Sequence, residues 1–426
     1  MSGEQIKPGY KRTEVGVIPE DWSLVAAGEI GRFRGGSGFP TKHQGGISGM
    51  HPFFKVSDMN NEGNETYMRT ANNYIGETTR KALGANLFQK NSIVFAKVGA
   101  AVFLERKKIL AQQSCLDNNM AAYELDEKKA DYRFIHYRLL HTKFGDLVST
   151  TALPSLSGAV LYKISFPLPS LPEQRAIATA LSDVDALLTK IDQLIGKKRD
   201  LKQAAMQQLL TGQTRLPGFS GDWMDVLVGD VISRHFSGPS PTCQERNIEG
   251  DSEWGVLKTT ASTKESGWDW RKHNALPSAY WDSDHIELQA GDVIVTKAGP
   301  RHRVGVAAWV DYIPRRIIPS GKMIALRPNE RKVLPLMLAY GISEKGAQSF
   351  LDQRTTGMAE SQVNFENGDL LNTPIHIPAI EEQMAISEII SGLDTEITTL
   401  EARRDKTRAL KQGMMQELLT GRIRLV

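Results

Sequence analysis

The feature that most constrains this sequence is an internal repeat. Residues 172–216 recur as residues 381–425, and when the two stretches are aligned without a gap roughly 20 of 45 positions are identical. Chance alone gives far fewer identities between unrelated stretches of this length. The chain is therefore built from two copies of one plan, and any fold proposed for it must contain the repeated segment twice.

Each copy of the repeat has the apolar spacing of a coiled-coil helix, in which steps of four and three residues line one side. The spacing predicts a helix over about 173–211 and a matching helix in the second copy, which keeps the register until Arg404. The predicted seam consists of Ile177, Leu181, Val184, Leu188, Ile191, Ile386, Ile390, Leu393, Ile397 and Leu400. Because both copies share one register, we expect the helices to pack against each other. Packing of each helix on its own domain is the alternative.

Residues at the ends of the repeat have the chemistry of helix caps. Ser170 with Glu173 matches a capping box at the start of the first helix. Gly212 and Gly421 follow a Leu-Leu-Thr run, at the point where a glycine commonly ends a helix. Both helices are therefore expected to stop just before these glycines.

The stretches before the two helices also repeat, though faintly. Trp22 and Trp223 each follow an aspartate, and we expect both indole rings to lie in a domain core. Lys97 and Lys297 each follow an apolar, β-branched run and come two residues before a glycine. Short alternating runs and many glycines between 20 and 165 predict a mixed α+β domain. Each half of the chain is thus predicted to be one such domain followed by one long helix.

Composition excludes several classes of protein. Lys and Arg number 52 and Asp and Glu 49, so the net charge of +3 excludes a uniformly basic, histone-like protein. No run approaches about 18 apolar residues and the first residues lack an apolar core, so we expect neither a transmembrane helix nor a signal peptide. Cys115 and Cys243 lie far apart and outside any C-x-x-C, which disfavours a disulfide framework or a zinc site. Reduced thiols in the cytoplasm fit these features best.

The order of these elements resembles that of one known family. It runs from a Trp-containing start through a variable domain to Leu171-Pro172-Glu173-Gln174, a heptad helix and a Leu-Leu-Thr-Gly end, and then repeats. This order is similar to that of the specificity (S) subunits of type I restriction–modification enzymes, and the resemblance covers essentially the whole chain. The second copy departs at Ile380-Glu381-Glu382-Gln383, where a proline would be expected, and the departure affects how the chain enters the helix.

The resemblance implies an α+β fold with a pseudo-twofold internal repeat. Two target recognition domains, each of mixed α/β structure, would be joined by two long conserved helices packed as an antiparallel coiled coil. The corresponding division of the chain is residues 1–168 and 214–377 for the recognition domains, and residues 169–213 and 378–426 for the helices.

The family also implies what the chain binds. Each recognition domain would read one half of a split target in double-stranded DNA, and the helices would set the spacing and dock two methyltransferase subunits. Nuclease–translocase subunits would join this core. No cofactor is expected in this chain, whereas S-adenosylmethionine, ATP and Mg²⁺ are expected on the partner subunits.

Two other functions compete with this one: a self-contained DNA methyltransferase and an architectural coiled-coil protein. A DNA amino-methyltransferase needs an Asn/Asp/Ser-Pro-Pro-aromatic loop, and this chain has no Pro-Pro dipeptide. The glycine-rich run from Gly31 to Gly38 lacks the Lys-Ser/Thr of a nucleotide-binding loop. The nine histidines show no metal-binding spacing such as H-E-x-x-H. We therefore expect neither a catalytic residue nor a metal site.

DNA contacts are expected from basic residues of the two variable domains. Phosphates need cationic or N–H donors, and base edges need side chains that reach into a groove. The strongest local pattern is the loop at 297–305, which combines glycine, proline and four basic residues. The candidates are Arg32, Arg34, Lys97, Arg106, Lys107, Arg271, Lys297, Arg301, His302 and Arg303. For each of them a solvent-exposed surface charge is the alternative.

Overall fold

The chain forms two compact units. The structure is a computed structural model, and it describes residues 6–148, 154–250, 252–263 and 267–425. Unit 1 is drawn from residues 1–192 and 402–426, whereas unit 2 is the continuous stretch 193–401. The boundaries between the units fall inside the two copies of the predicted helix.

The elements up to the first long helix are β1 (Tyr10–Thr13), β2 (Gly16–Pro19), β3 (Ser23–Ala26), α1 (Ala27–Ile30), β4 (Gly31–Gly35), β5 (His51–Phe54), β6 (Tyr67–Met68), β7 (Tyr74–Ile75), α2 (Glu77–Ala82), β8 (Leu87–Phe88), β9 (Ile93–Ala96), β10 (Lys107–Leu110), β11 (Ser114–Leu116), β12 (Met120–Leu125), α3 (Tyr132–His141), α4 (Gly158–Tyr162), β13 (Ser165–Leu168) and α5 (Leu171–Leu209). The elements that follow are β14 (Met224–Leu227), α6 (Val228–Val231), β15 (Ile232–Phe236), β16 (Gly255–Leu257), β17 (Ser262–Thr263), β18 (Gly267–Trp268), β19 (His273–Ala275), β20 (Val293–Thr296), β21 (Ala298–Gly299), β22 (Ala307–Trp309), β23 (Ile317–Ile318), β24 (Met323–Pro328), α7 (Pro335–Ser343), α8 (Lys345–Asp352), β25 (Thr356–Ala359), β26 (Gln362–Asn364), α9 (Asn367–Leu371), β27 (Pro374–Ile377) and α10 (Ile380–Leu418).

Two sheets form the body of unit 1, with strand orders β4-β12-β9-β10-β6 and β7-β5-β11-β8. Strand β9 is buried on both faces. Ile93 and Phe95 pack in a core that includes Phe134 of α3, whereas Val94 packs in a second core that includes Phe54 of β5. Because successive side chains of a strand point to opposite faces, a strand between two cores must be apolar at every position.

Unit 2 follows the same construction. Its main sheets have the orders β15-β24-β20-β22 and β19-β16-β23. Val293 and Val295 of β20 pack in one core and Ile294 packs in another, so β20 is placed as β9 is in unit 1. The mixed α+β character expected of both domains is therefore found in both units.

Within unit 1, the first part of α5 lies against the last part of α10. Ile177 and Leu181 of α5 share a core with Leu418 of α10. One step further along α5, the Asp185 carboxylate forms an ion pair with the Lys411 ammonium at 2.5 Å. Since the contacts move forward along α5 and backward along α10, these two segments run antiparallel.

Unit 2 contains the complementary pair of segments, the last part of α5 and the first part of α10. Ile386 and Ile390 of α10 share a core with Leu209, the last residue of α5. The Asp394 carboxylate pairs with the Lys202 ammonium at 2.6 Å. These positions match the unit 1 pairs at an offset of 209 residues, so the repeat in sequence is also a repeat of contacts.

On both helices every residue of the predicted apolar seam is buried or half-buried. Its buried members are Ile177, Leu181, Ile191, Ile386, Ile390 and Ile397, and its half-buried members are Val184, Leu188, Leu393 and Leu400. The first helix, expected over about 173–211, begins and ends two residues earlier. Gly212 and Gly421 have φ values of +69° and +73°, as expected of glycines that end a helix. The division into four segments stays a prediction.

A buried glutamate ties the start of each helix to its unit. Glu173, expected to complete a capping box, instead accepts hydrogen bonds from Trp22 Nε1 at 3.2 Å and from Arg424 at 2.8 Å. In unit 2, Glu382 accepts hydrogen bonds from Arg215 at 2.6 and 2.5 Å. Each glutamate raises the pKa of its arginine. These residues form the two helix-start clamps, one in each unit.

The glutamine after each of these glutamates has a second anchoring role. Gln174 accepts a hydrogen bond from the backbone N–H of Asp131 at 2.8 Å, and Gln383 accepts one from that of Leu334 at 2.9 Å. Asp131 and Leu334 directly precede α3 and α7. The repeated Glu-Gln dipeptide therefore joins each long helix to a short helix of the same unit.

Candidate nucleic-acid interface

Lys97 lies at the carboxyl end of β9, where the chain leaves the larger sheet of unit 1. Its backbone N–H donates to the Asn119 carbonyl at 2.8 Å, which ties it to the turn between β11 and β12. The side chain is half-buried beside Gly35. Among the residues that the structure describes, its ammonium has no hydrogen-bond or ion-pair partner. A partly desolvated cation without a local counter-charge favours an anionic ligand.

Lys297 has the same position at the end of β20 in unit 2. Its backbone N–H donates to the Lys322 carbonyl at 2.9 Å, in the turn that precedes β24. Its ammonium donates to the Asn367 Oδ1 at 3.2 Å. Since that amide is neutral, the charge of Lys297 is not compensated by this contact. Each unit thus presents a lysine from the same structural position, and these residues are the matched lysines.

The loops beside the matched lysines depend on glycine. A Cβ at Gly36 would lie 1.9 Å from the carbonyl oxygen of Asp117, and a Cβ at Gly238 would lie 1.8 Å from that of Pro319. No side chain fits at such distances, so both positions require glycine for close backbone approach. The two loops are therefore held against equivalent turns in the two units.

Several candidate arginines already have acidic partners. Arg32 and Arg34 of β4 both contact the Glu124 carboxylate of the adjacent strand β12, at 3.1 and 3.0 Å. Arg271 pairs with Asp269 at 2.8 Å, and this carboxylate raises the pKa of Arg271. A phosphate would have to share these cations with a carboxylate, so they are weaker candidates for DNA contact than the sequence suggested.

Arg301, in the most basic loop of the sequence, is held by two carboxylates. Its guanidinium contacts Asp352 at 2.5 Å and Glu360 at 3.1 Å, and the hydrogen bond to Asp352 is the main cause of its raised pKa. Its neighbour Arg303 donates to the carbonyl of Thr259 at 3.3 Å and has no carboxylate within ion-pair distance in the described ranges. Of these two arginines, Arg303 is therefore the freer cation.

The prediction for Lys107 is wrong. Its side chain is 1% exposed, forms an ion pair with Glu105 and donates to the Thr142 carbonyl at 2.9 Å. Its ammonium also lies 4.3 Å from the centre of the Phe144 ring. Burial lowers the pKa of this lysine, and Glu105 only partly offsets that effect. Lys107 is thus an internal residue of unit 1 and cannot reach a DNA strand in this conformation.

The remaining candidates stay predictions. Arg106, next to the buried Lys107, is half-buried and donates to the side-chain oxygen of Asn60. His302 is exposed in the loop between the two arginines of unit 2. Neither forms an ion pair with a carboxylate in the described part of the chain. The two residues, with Lys97, Lys297 and Arg303, make up the candidates whose charge or donors remain available.

The arrangement of the His, Cys, Asp and Glu side chains bears on metal and thiol chemistry. Within the described ranges, no three or more His, Cys, Asp or Glu side chains are grouped so that they could hold a metal ion. The same residues include no helix with the length and apolarity that a membrane span requires. Cys115 is a buried free thiol, and burial raises its pKa to about 11. That thiol therefore stays protonated near neutral pH.

Comparison with known proteins gives a consistent result across the chain. The family model described as the type I restriction modification DNA specificity domain matches twice, over residues 19–200 and 221–408. The MjaVIII specificity subunit of Methanocaldococcus jannaschii is 22% identical over an alignment of 432 positions, which covers 96% of this chain and 94% of that protein. The EcoEI specificity subunit of Escherichia coli is 27% identical over 181 residues, only 42% of this chain and 30% of that protein.

Solved structures share the fold. The S subunit of a type I restriction–modification system from M. genitalium superposes with a TM-score of 0.54 at 14% identity, covering 97% of this chain and 99% of that one. A chain from a structural study of type I R-M complex assembly gives a TM-score of 0.52 at 16% identity, with 95% and 99% coverage. At these identities the likeness concerns the arrangement of the chain alone.

Proposed function

Since this chain belongs to the family of type I restriction–modification specificity subunits, we propose that each of its units reads one half of a bipartite DNA sequence. The observation that carries this proposal is the pair of matched lysines. Lys97 and Lys297 come from equivalent strands and turns, while the side chains around them differ. One unit offers the basic loop with Arg303, and the other offers Arg106 beside an apolar segment. Two related surfaces with different side chains suit two different half-sites.

We further propose that α5 and α10 pack along their length as one antiparallel coiled coil. The inward-facing apolar seam and the antiparallel ion pairs Asp185–Lys411 and Asp394–Lys202 support this arrangement. Such a rod would set the spacing between the two half-sites, because a helix advances about 1.5 Å per residue and resists shortening.

The outer face of α5 supports a docking role for the helices. Leu194 and Leu201, both in the part of α5 that belongs to unit 2, are exposed and seven residues apart, so they lie on one side of the helix. Exposed leucines in such a line suit a protein partner. We propose that the helices carry two methyltransferase subunits and that nuclease–translocase subunits join the assembly.

The chemistry then belongs to the partner subunits. S-adenosylmethionine would bind the methyltransferases, while ATP and Mg²⁺ would bind the subunits that translocate and cut. This chain would direct adenine methylation or restriction to its target without a catalytic residue of its own, in the cytoplasm, where the host DNA lies. Methyl transfer by the purified chain alone, supplied with S-adenosylmethionine, would favour the self-contained methyltransferase instead.

Exchange of one recognition domain tests this function. Residues 20–165 are replaced by the matching domain of a relative, and the chimera is expressed with its methyltransferase subunit in a host that lacks other DNA methylation. Mapping of methylated bases should then find one half of the target changed and the other unchanged. The reciprocal exchange in unit 2 is the matched control. A chimera that changes both halves, or neither, would contradict independent recognition by the two units.

A further inference from the structure

The matched lysines differ from most other candidate cations in what surrounds them. Arg32, Arg34, Arg271 and Arg301 each contact a carboxylate. Lys97 and Lys297 contact none among the described residues, although both are half-buried. A charge that is partly removed from water without compensation costs stability, so it is usually kept where a ligand supplies the opposite charge.

The loop that follows each matched lysine contains a glycine with open space on its Cβ side. Gly99 and Gly299 each lie two residues after the lysine, with φ values of +79° and +147°. At both positions a Cβ would meet no atom of the described residues within 4 Å. The Cβ side of both glycines is therefore open, so glycine leaves room for a ligand along the loop that follows each lysine.

The residues around the matched lysines are not shared between the units. The turn residue that accepts the lysine N–H is Asn119 in unit 1 and Lys322 in unit 2. On the strands that pair with β12 and β24, Arg34 of unit 1 has the position of Phe236 in unit 2. The next residue, Gly35 beside Lys97, therefore corresponds to Ser237. Side chains that differ in this way can read different bases. A side chain common to both units suits what every half-site offers regardless of its sequence, the sugar–phosphate backbone.

We propose that Lys97 and Lys297 are equivalent phosphate anchors, which bind the DNA backbone at both half-sites and leave base recognition to the residues that differ. This inference rests on the proposed function and names the chemical group that each matched lysine contacts. Lysine suits the role, since its ammonium is a compact point charge with three rotatable donors, whereas specific base contacts favour planar, bidentate groups.

The test compares Lys97→Gln, Lys297→Gln and the double variant in the full chain assembled with its methyltransferase subunits. Binding is measured on a duplex that carries the mapped target and on a duplex of unrelated sequence, over a range of salt concentrations. Each single variant should bind both duplexes about tenfold more weakly. The slope of log affinity against log salt should become shallower by about 0.9 for each lysine removed.

Two controls remove a positive charge elsewhere in the same units. Lys128 and Arg331 are exposed residues that follow β12 and β24, and so lie beyond the opposite ends of those strands from the matched lysines. Lys128→Gln and Arg331→Gln should leave both the affinity and the slope unchanged. Lys97→Arg keeps the charge and should restore the wild-type slope, which separates loss of charge from misfolding.

The outcomes distinguish this inference from the function on which it rests. A wild-type complex that binds both duplexes equally would overturn the proposed function. A selective wild-type complex whose slope is unaffected by either lysine variant would overturn the anchors alone. A changed methylation sequence in the Lys97→Gln complex would also overturn them, because it would assign base recognition to Lys97.

Discussion

The helix-start clamps of unit 1 and unit 2 contain the same glutamate and arginine, but the clamp of unit 1 has additional hydrogen bonds. In unit 1 the arginine of the clamp, Arg424, contacts both Glu173 and Asp21, and Trp22 adds a hydrogen bond to the glutamate. In unit 2 Arg215 makes its hydrogen bonds to Glu382, and Asp222 acts on it only through its charge.

The tryptophans of the two clamps show the same inequality. Trp22 is buried and donates its Nε1–H to Glu173, as expected for a core residue. Trp223 is only half-buried, and its Nε1 is shielded from solvent without a hydrogen-bond partner in the described part of the chain. A duplicated sequence therefore keeps its central contact in both copies, whereas the contacts around it can strengthen in one copy and weaken in the other.

The largest expected difference between the units concerns two matched seam positions. Ile397 is 8% exposed in unit 2, whereas Leu188, 209 residues earlier, is half-buried in unit 1. Ile397→Glu should lower the free energy of unfolding of unit 2 by about 4 kcal/mol, because it places a charge in an apolar seam. Leu188→Glu can turn its carboxylate toward water and should cost unit 1 about 1 kcal/mol. Hydrogen exchange in urea, resolved by unit, measures both.

Thr398→Glu is the control for the Ile397 variant. Thr398 is exposed on the same turn of α10, so a carboxylate there should change stability by less than about 0.5 kcal/mol. Equal losses from the two seam variants would contradict the difference in burial between the matched positions.

A smaller difference is expected in the response to acid. His136 of α3 is buried with its Nε2 2.9 Å from the Lys107 carbonyl, and burial lowers its pKa from 6.5 to about 4. The nearby Asp185 partly offsets this effect, whereas Lys411 adds to it. As the pH falls, His136 is protonated in the unfolded chain at a higher pH than in the folded protein. The contribution of neutral His136 to the stability of unit 1 is therefore complete above pH 6.5 and is lost as the pH falls toward 4. The loss amounts to about 3 kcal/mol.

The pH test isolates this histidine from other groups. Burial raises the pKa values of Asp58 and Asp117 in the same unit, so their protonation acts in the opposite direction. The measured quantity is therefore the stability of wild-type unit 1 minus that of His136→Gln, at pH 7 and pH 4.5. This difference should shrink on acidification. Unit 2, which has Ala339 at the matching position of α7, is the internal control.

The smallest expected effect compares the two clamps directly. Glu382→Gln removes the only carboxylate hydrogen-bonded to Arg215 among the described residues and should cost unit 2 about 2 kcal/mol. Glu173→Gln leaves Arg424 paired with Asp21 and should cost unit 1 about 1 kcal/mol. Adding Asp21→Asn to Glu173→Gln should bring the loss in unit 1 to that of unit 2, as measured by urea unfolding. If the loss of stability in the double variant equals the sum of the two single losses, Glu173 and Asp21 do not stabilise Arg424 jointly.

The helices could be predicted from sequence because their signals are local. The heptad spacing identified the buried side of α5 and α10, including Ile177 and Ile390, and Gly212 and Gly421 marked where they end. These patterns lie within a few turns of the residues that they describe. No alignment with another protein is needed to find them.

The partners of the charged residues could not be predicted in the same way. Arg301 meets Asp352 and Glu360, which lie 51 and 59 residues later in the chain. The sequence made Lys107 a candidate for DNA contact, yet the fold of unit 1 buries it beside Glu105. Contacts of this kind depend on which strands pair and on how helices pack over them, and neither is written in the local sequence.

Unit 1 consists of two stretches that are far apart in the chain, and this has a consequence for its synthesis. Residues 1–192 leave the ribosome first, but the unit also includes residues 402–426, and the 209 residues of unit 2 must be synthesised in between. At about 5–20 residues per second, this takes about 10–40 s. During that interval the core around Ile177 and Leu181 lacks Leu418, and Glu173 lacks Arg424. The nascent chain thus holds an unfinished first unit while the second, continuous unit can already close, which makes this period the time of greatest exposure to chaperones and proteases.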